Sequence, residues 1–241
     1  MTPLADLPRF YHPEVIAPST IELEEEDGRH AKVLRLSDGD QVHIVDGKGK
    51  LFLGEIEMLK RSSKVKVTEL LIDESDERPV PLILALAPTK NTNRLEWAVE
   101  KAVEVGMTRI QLITCAHSER SKVRIDRLHR IAISALKQSK GLFMTQIQGP
   151  TEFQVLLKEA SPLRWIAHCI EDLPRRSFDM LLNAPLDQGC LIAIGPEGDF
   201  SRQEVTDAER AGFVGLDLGQ RRLRTETAAM AVAVAAALLR S

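Results

Sequence analysis

The sequence predicts an α/β protein: a mainly parallel sheet with helices on both faces, preceded by a small β-domain. Three observations point there. Between residues 41 and 68 apolar side chains alternate with polar ones around a glycine-bearing turn, the period of half-buried strands. From Leu82 onward, short apolar runs alternate with segments of helical period, which implies crossover connections and parallel pairing. Between these regions, residues 73–81 show no period and hold four acids and two prolines, the composition of a linker. With 241 residues, 44% hydrophobic and 28% charged, the chain has room for two modest domains. Their expected bounds are 1–72, 73–81 for the linker, and 82–241.

In chain order, Gly28 to Leu36 reads as the one helical piece of the first domain, with His30, Val33 and Leu34 on one face. Gln41 to Asp46 and Leu51 to Met58 flank Gly47-Lys48-Gly49, a hairpin turn, and Lys64 to Thr68 alternates charge with apolar side chain. Together these form a small barrel or sandwich. In the second domain Leu82 to Ala87 is a strand buried on both faces. Leu95, Ala98, Ala102 and Val105 then follow helical spacing until Gly106. Arg109 to Thr114 is the next strand, and a basic helix runs from about Ile125 to Ser139. A helix near Phe153 to Glu159 follows, then strands Leu163 to His168 and Cys190 to Ile194. Ser201-Arg-Gln-Glu204 has the form of a capping box, so Ser201 should cap a helix reaching Gly212. Val214 to Leu218 is a short strand. The alanine-rich helix that opens at Thr225 is apolar almost all round and is therefore expected to be buried.

Several function classes fall away. Cys115, Cys169 and Cys190 are too far apart for a zinc knuckle or a CxxC pair, and are expected to be buried reduced thiols of a cytosolic protein. The first eight residues lack the basic flank and apolar run of a signal peptide, and Thr227 to Leu239 is shorter than the roughly 20 residues that span a bilayer. No HxH, HExxH, GxSxG or SxxK spacing occurs, so neither a metal site nor a nucleophilic hydrolase is expected. The net charge of −3 creates no global field for a polyanion. Glu119 to Lys140, however, carries a local excess of five positive charges, and Arg221, Arg222 and Arg224 form a second basic cluster.

Two strand-to-helix loops rich in glycine and charge lie at the carboxyl ends of strands, where open α/β sheets bind ligands. Gly195-Pro196-Glu197-Gly198 is neither a phosphate loop nor a GxGxxG fingerprint. It is either a plain tight turn or a place where bare backbone approaches a flat ligand such as an adenine edge. In Leu218 to Thr227, Glu226 stands in a first helical turn with three arginines before it. Its role is either that of a dipole partner or that of a site residue.

Ile194 to Ser201, taken with Leu218 to Ala228, resembles the paired C-terminal signature of the RsmE family, 16S rRNA uridine-N3 methyltransferases of the SPOUT superfamily. Arg9 to Pro13, His30 to Leu36, Gly39-Asp40, Asp46 to Gly49 and Glu96 to Gly106 are similar to the same family, so the likeness covers nearly the whole chain. The resemblance implies a SPOUT-type parallel sheet with a C-terminal trefoil knot behind a small PUA-like β-barrel domain. It implies S-adenosyl-L-methionine as cofactor, a cytoplasmic homodimer, and 16S rRNA within the small ribosomal subunit as partner, with no membrane and no metal.

Carried onto this chain, the cofactor residues are Ile194, Gly195, Pro196, Glu197, Gly198, Leu218, Gly219, Leu223, Arg224, Thr225 and Ala228. Arg224 and Glu226 are the catalytic candidates. RNA contact falls to Arg9, Lys32 and Arg35 of the first domain and to Arg120, Lys122, Arg124 and Lys137. Two departures are visible. Lys137 to Thr145 lacks the Gly-Arg-Asn-Arg run common in the family, and Asp199 stands where a GPEGG pattern has its last glycine. A non-catalytic RNA-binding protein on the same scaffold, or a SPOUT enzyme with another RNA target, are the alternatives.

Overall fold

The computed structural model describes residues 6–59, 62–77, 79–119 and 122–239. The chain divides into two compact units, one of residues 6–77 with Leu136–Met144, the other of the remainder from Pro79 onward.

In the first unit, β1 (Arg9–Tyr11), β2 (Ser19–Glu22), α1 (Glu25–Val33), β3 (Gln41–Val45), β4 (Lys50–Met58) and β5 (Ser63–Asp73) build one mixed sheet of order β1-β3-β4-β5-β2. β1 pairs parallel with β3; the other pairs are antiparallel. The expected hairpin is present, and Gly47 and Gly49 both take positive φ, which a residue with a Cβ adopts only under strain. Phe10, Ile44, Phe52, Ile56 and Val65 fill the core. The order leaves β1 and β2 as edges, with no pairing between them among the described residues.

The expected face of α1 is corrected. Val33 and Leu34 are exposed, whereas Asp27, Gly28 and Ala31 are buried. Ala31 belongs to the core, and the helix closes on a left-handed Arg35 that turns the chain away. The sequence reading also assigned 136–144 to the second domain, whereas here this stretch joins the first unit. Lys137 pairs with Asp27, Gly49 N–H donates to Leu142 O at 3.1 Å, and Met144 N–H donates to Gly47 O at 2.8 Å.

The second unit is a seven-stranded sheet in which every pairing is parallel. Its elements are β6 (Leu82–Leu86), α2 (Thr92–Glu104), β7 (Arg109–Thr114), α3 (Ile125–Ser139, of which the part up to Ala135 belongs to this unit), β8 (Gln146–Glu152), α4 (Phe153–Leu156), β9 (Leu163–Ala167), β10 (Arg176–Ser177), α5 (Asp179–Leu182), β11 (Cys190–Ile194), α6 (Arg202–Arg210), β12 (Val214–Asp217) and α7 (Thr225–Leu239). The order is β10-β12-β9-β11-β6-β7-β8. All of β6 and β11 is buried, as continuous apolar runs in a covered parallel sheet should be. Ile83, Ala85, Leu191 and Ala193 pack with Phe153, Phe200, Val205 and Ala208 from the α4 and α6 side, while α7 lies against β6, β11 and α2.

Burial of α7 is incomplete. Val234 and Leu238 face outward while Ala229, Val232, Ala233 and Ala236 are enclosed. The helix expected near Phe153 to Glu159 stops at Leu156. β8 escaped sequence reading because an edge strand with Gly149-Pro150 in it has too little apolar alternation to register.

Candidate active site

Three connections at the carboxyl edge of the parallel sheet converge on one cavity of about 320 Å³. They follow β9, β11 and β12, neighbours in the sheet although distant in sequence. Residues 167–169 and Arg175 form one wall, 194–197 with Asp199 a second, and 217–219, 221–225 and Ala228 the third. Of the expected cofactor residues, Ile194, Gly195, Pro196, Glu197, Leu218, Gly219, Leu223, Arg224, Thr225 and Ala228 line it.

Gly198 does not line the cavity. It lies against His117, whose Cβ would stand 3.0 Å from any side chain added there. Sequence reading missed His168, Cys169, Arg175 and Asp217, since the loop after β9 carries no motif. Arg221 and Arg222 registered only as charge.

The loop that leaves β11 is braced on every side. Glu197 Oε1 accepts from Lys90 N–H at 2.9 Å. His117 Nδ1, 3.1 Å from both Gly198 O and Asp199 O, must carry its proton to serve them. The expected capping box is present: Ser201 Oγ accepts from Glu204 N–H at 3.2 Å, and Glu204 Oε2 accepts from Ser201 N–H at 2.8 Å. The other oxygen of Glu204 accepts from Ala116 N–H at 2.8 Å, so one buried carboxylate caps α6 and also fixes the loop after β7.

Charge in the cavity is mixed, with Arg175, Arg221, Arg222 and Arg224 facing Glu197, Asp199 and Asp217. His168 is buried, and its Nδ1 accepts from Ile170 N–H at 3.3 Å, which puts the ring proton on Nε2. Burial pushes its pKa down, opposed by the Asp199 carboxylate. Cys169, expected to be buried, is exposed in the cavity wall, while Cys115 and Cys190 are buried as expected.

Glu226, the second catalytic candidate, takes the structural side of its two readings. It does not line the cavity but turns toward α2, where Arg94 Nε lies 3.4 Å from Oε1, and Oε2 is buried without a hydrogen bond.

The basic residues expected at RNA fall into three groups. Lys32, Arg35, Lys122 and Arg124 are exposed, the last two beside a cleft of about 180 Å³ that also holds the Arg127–Glu96 pair. Arg9 and Lys137 are committed within the first unit: Arg9 Nη1 donates to Gly141 O at 3.2 Å, and Lys137 is held by Asp27. Arg120 lies outside the described residues.

Residues 76–237 match the pattern of an RNA methyltransferase domain, and residues 23–69 that of an RNA methyltransferase PUA domain. The chain belongs to the RNA methyltransferase family. Within that family it is similar to the ribosomal RNA small subunit methyltransferase E of Synechocystis, 29% identical over 95% of this chain and 77% of that protein. Among solved structures it resembles the methyltransferase E of Neisseria gonorrhoeae bound to S-adenosyl methionine, at 27% identity and TM-score 0.82, covering 95% of this chain and 96% of that one. It is also similar to a probable rRNA-methyltransferase of Porphyromonas gingivalis, at 36% identity and TM-score 0.80 over 94% of this chain and 95% of that one. Among the described residues no cluster of three metal-ligating side chains occurs, and no helix is long and apolar enough to cross a membrane.

Proposed function

We propose that the protein transfers a methyl group from S-adenosylmethionine to N3 of a uridine in 16S rRNA of the small ribosomal subunit. The observation that carries this reading is the convergence of both motif loops, Arg224 included, on one cavity of a chain built as an RNA methyltransferase. The lining suits the cofactor. Ile194, Leu218, Leu223 and Ala228 offer apolar surface to a flat base, Gly219 leaves its main chain open to it, and the arginine forks suit a carboxylate. When bound, the cofactor supplies an electrophilic methyl on a sulfonium.

The chain supplies the rest. Loss of the N3 proton to solvent water spreads negative charge onto uracil O2 and O4, and Arg224 in the cavity wall stabilises that charge. Such stabilisation from a fixed donor is worth several kcal/mol when it acts in the transition state more than in the ground state. Glu226 acts one step removed: held by Arg94, it anchors the first turn of α7 and with it the backbone of Arg224 two residues before.

The reading includes a trefoil knot. What supports it is that after β12, which sits between β9 and β10, the chain returns as α7 against β6 and β11. It also includes a homodimer that covers the outward Val234 and Leu238 of α7, and work in the cytoplasm, where ribosomes are assembled. Exposed Lys32, Arg35, Lys122 and Arg124 meet RNA phosphates, which makes affinity fall with salt.

The test is transfer of labelled methyl to small subunits lacking the modification, with naked 16S rRNA alongside and Arg224→Ala as control. Label recovered as 3-methyluridine and lost in the variant supports the reading. Cofactor binding without transfer overturns the substrate. No cofactor binding leaves an RNA-docking scaffold.

A further inference from the structure

The backbone of Asp199 has φ 65°, the left-handed region that glycine enters freely and a residue with a Cβ enters only at a cost. A strained residue that carries a side chain invites the question of what the side chain does. One oxygen is local, Oδ1 accepting from Phe200 N–H at 2.8 Å. The other is not: Oδ2 accepts from Cys169 N–H at 2.7 Å, thirty residues away on the connection that leaves β9. Asp199 and Cys169 both line the cavity, on the connections that leave the neighbouring strands β11 and β9. The main chain of Asp199 is held as well, its N–H donating to Pro196 O at 2.9 Å and its carbonyl accepting from His117 Nδ1. The carboxylate therefore ties the loop after β11 to the connection after β9, whose own holds are Ile170 and Leu173 packed on the core and Arg175 Nη1 donating to His168 O at 3.2 Å. A second polar tie to the Cys169–Arg175 segment, Asp172 with Arg202, is an exposed ion pair, and water and salt weaken such pairs.

We propose that Asp199 is a positioning residue: its carboxylate latches the segment from Cys169 to Arg175 onto the glycine loop and so sets the width of the cavity that receives the methyl donor. This rests on the cavity being the cofactor site. A charge-assisted hydrogen bond to a main-chain N–H is worth enough to hold a short loop, and it orders that wall before the ligand arrives.

The test uses the full chain with Asp199→Gly and Asp199→Asn, and reads cofactor affinity, thiol reactivity and thermal unfolding. Glycine removes the carboxylate and the backbone strain together, so unfolding should stay level or rise. Asparagine keeps an oxygen acceptor and removes the charge. Cys169 reports on the latch without cofactor. It is the exposed thiol of the three, while burial slows the others by pushing Cys190 up to about 12 and Cys115 up as well.

In Asp199→Gly, alkylation of Cys169 by iodoacetamide should quicken several-fold, and affinity for S-adenosylhomocysteine by calorimetry should weaken about tenfold, the scale of one lost charge-assisted bond. Asp199→Asn should lie near the wild type in both. Unchanged affinity and thiol rate in the glycine variant overturn the latch. So does an asparagine variant as reactive as the glycine one, because the thiol, held up by burial and then by the Asp199 charge, would then be answering to charge alone. A wild type that does not bind S-adenosylhomocysteine sinks the cofactor reading instead, and the thiol rates still judge the latch.

Discussion

Replacing Lys137 by methionine separates two roles that the sequence left open. Lys137 stands in a basic helix expected to touch RNA, yet its ammonium pairs with Asp27, and the two side chains are only 17% and 9% exposed. Methionine keeps most of the apolar stem and removes the charge, leaving the Asp27 carboxylate enclosed without its partner. Breaking a buried pair from one side costs about 3 to 5 kcal/mol. Asp27 retains a sliver of exposure and Lys137 a larger one, so the lower end applies, about 3 kcal/mol.

For a chain of this size each kcal/mol moves the midpoint by roughly 2 to 4 °C, which predicts a fall of roughly 6 to 12 °C in thermal unfolding. Asp27→Asn combined with Lys137→Met should recover much of the loss, because no charge is then left unpaired. RNA affinity measured across a salt series should keep the wild-type slope. A variant with an unchanged midpoint and a slope reduced by about one would refute the argument and make Lys137 a phosphate contact.

Other outcomes follow from the same geometry. Arg224→Ala should lower kcat by about a hundredfold or more, the scale on which single donors act in transition states, with little change in KM for RNA; single-turnover kinetics read the chemical step directly. Glu204→Ala should destabilise by about 2 kcal/mol, more than the roughly 1 kcal/mol of Ser201→Ala, since Glu204 serves the α6 cap and Ala116 N–H while Ser201 serves only the cap; urea titration compares them. Burial holds the pKa of His168 and His43 below the ordinary value of 6.5 in the folded chain. The unfolded chain therefore binds protons first, and stability should fall as pH drops below about 6.5 and level off beneath the lowered folded values; His168→Asn should flatten that slope in unfolding measured from pH 7.5 to 5. Lys122→Ala and Arg124→Ala should each reduce the salt slope of RNA binding by about one and leave stability unchanged.

Elements with a strong local signal were legible before any fold was known. The runs of β6 and β11 are apolar at every position because both faces are covered, and Ser201 with Glu204 declares a helix start whatever surrounds it. The hairpin at Gly47 and Gly49 is of the same kind, since the turn's own dihedrals demand glycine. α1 misled because three apolar or half-apolar residues at helical spacing look like a core face, when the core instead took Ala31 and the ion pair took Asp27. β2, β8 and the two-residue β10 carry too little pattern to be read, because edge strands are specified by their neighbour's free hydrogen-bonding groups more than by their own side chains.

The sequence by itself determined the two-part architecture, the central strands and principal helices of the second unit in their order, and two of the three walls of the cavity. Each of those is written in local periodicity, caps and glycine exits. Only the tertiary structure decided that the motifless connection after β9 is the third wall, that Glu226 serves Arg94, that Lys137 is a structural cation, and that Asp199 reaches Cys169. The last three of those facts join residues 30 to 132 positions apart, and no local free energy records such a pairing. It arises when parallel strands far apart in the chain are placed side by side, so that the loops at their ends must share one small space.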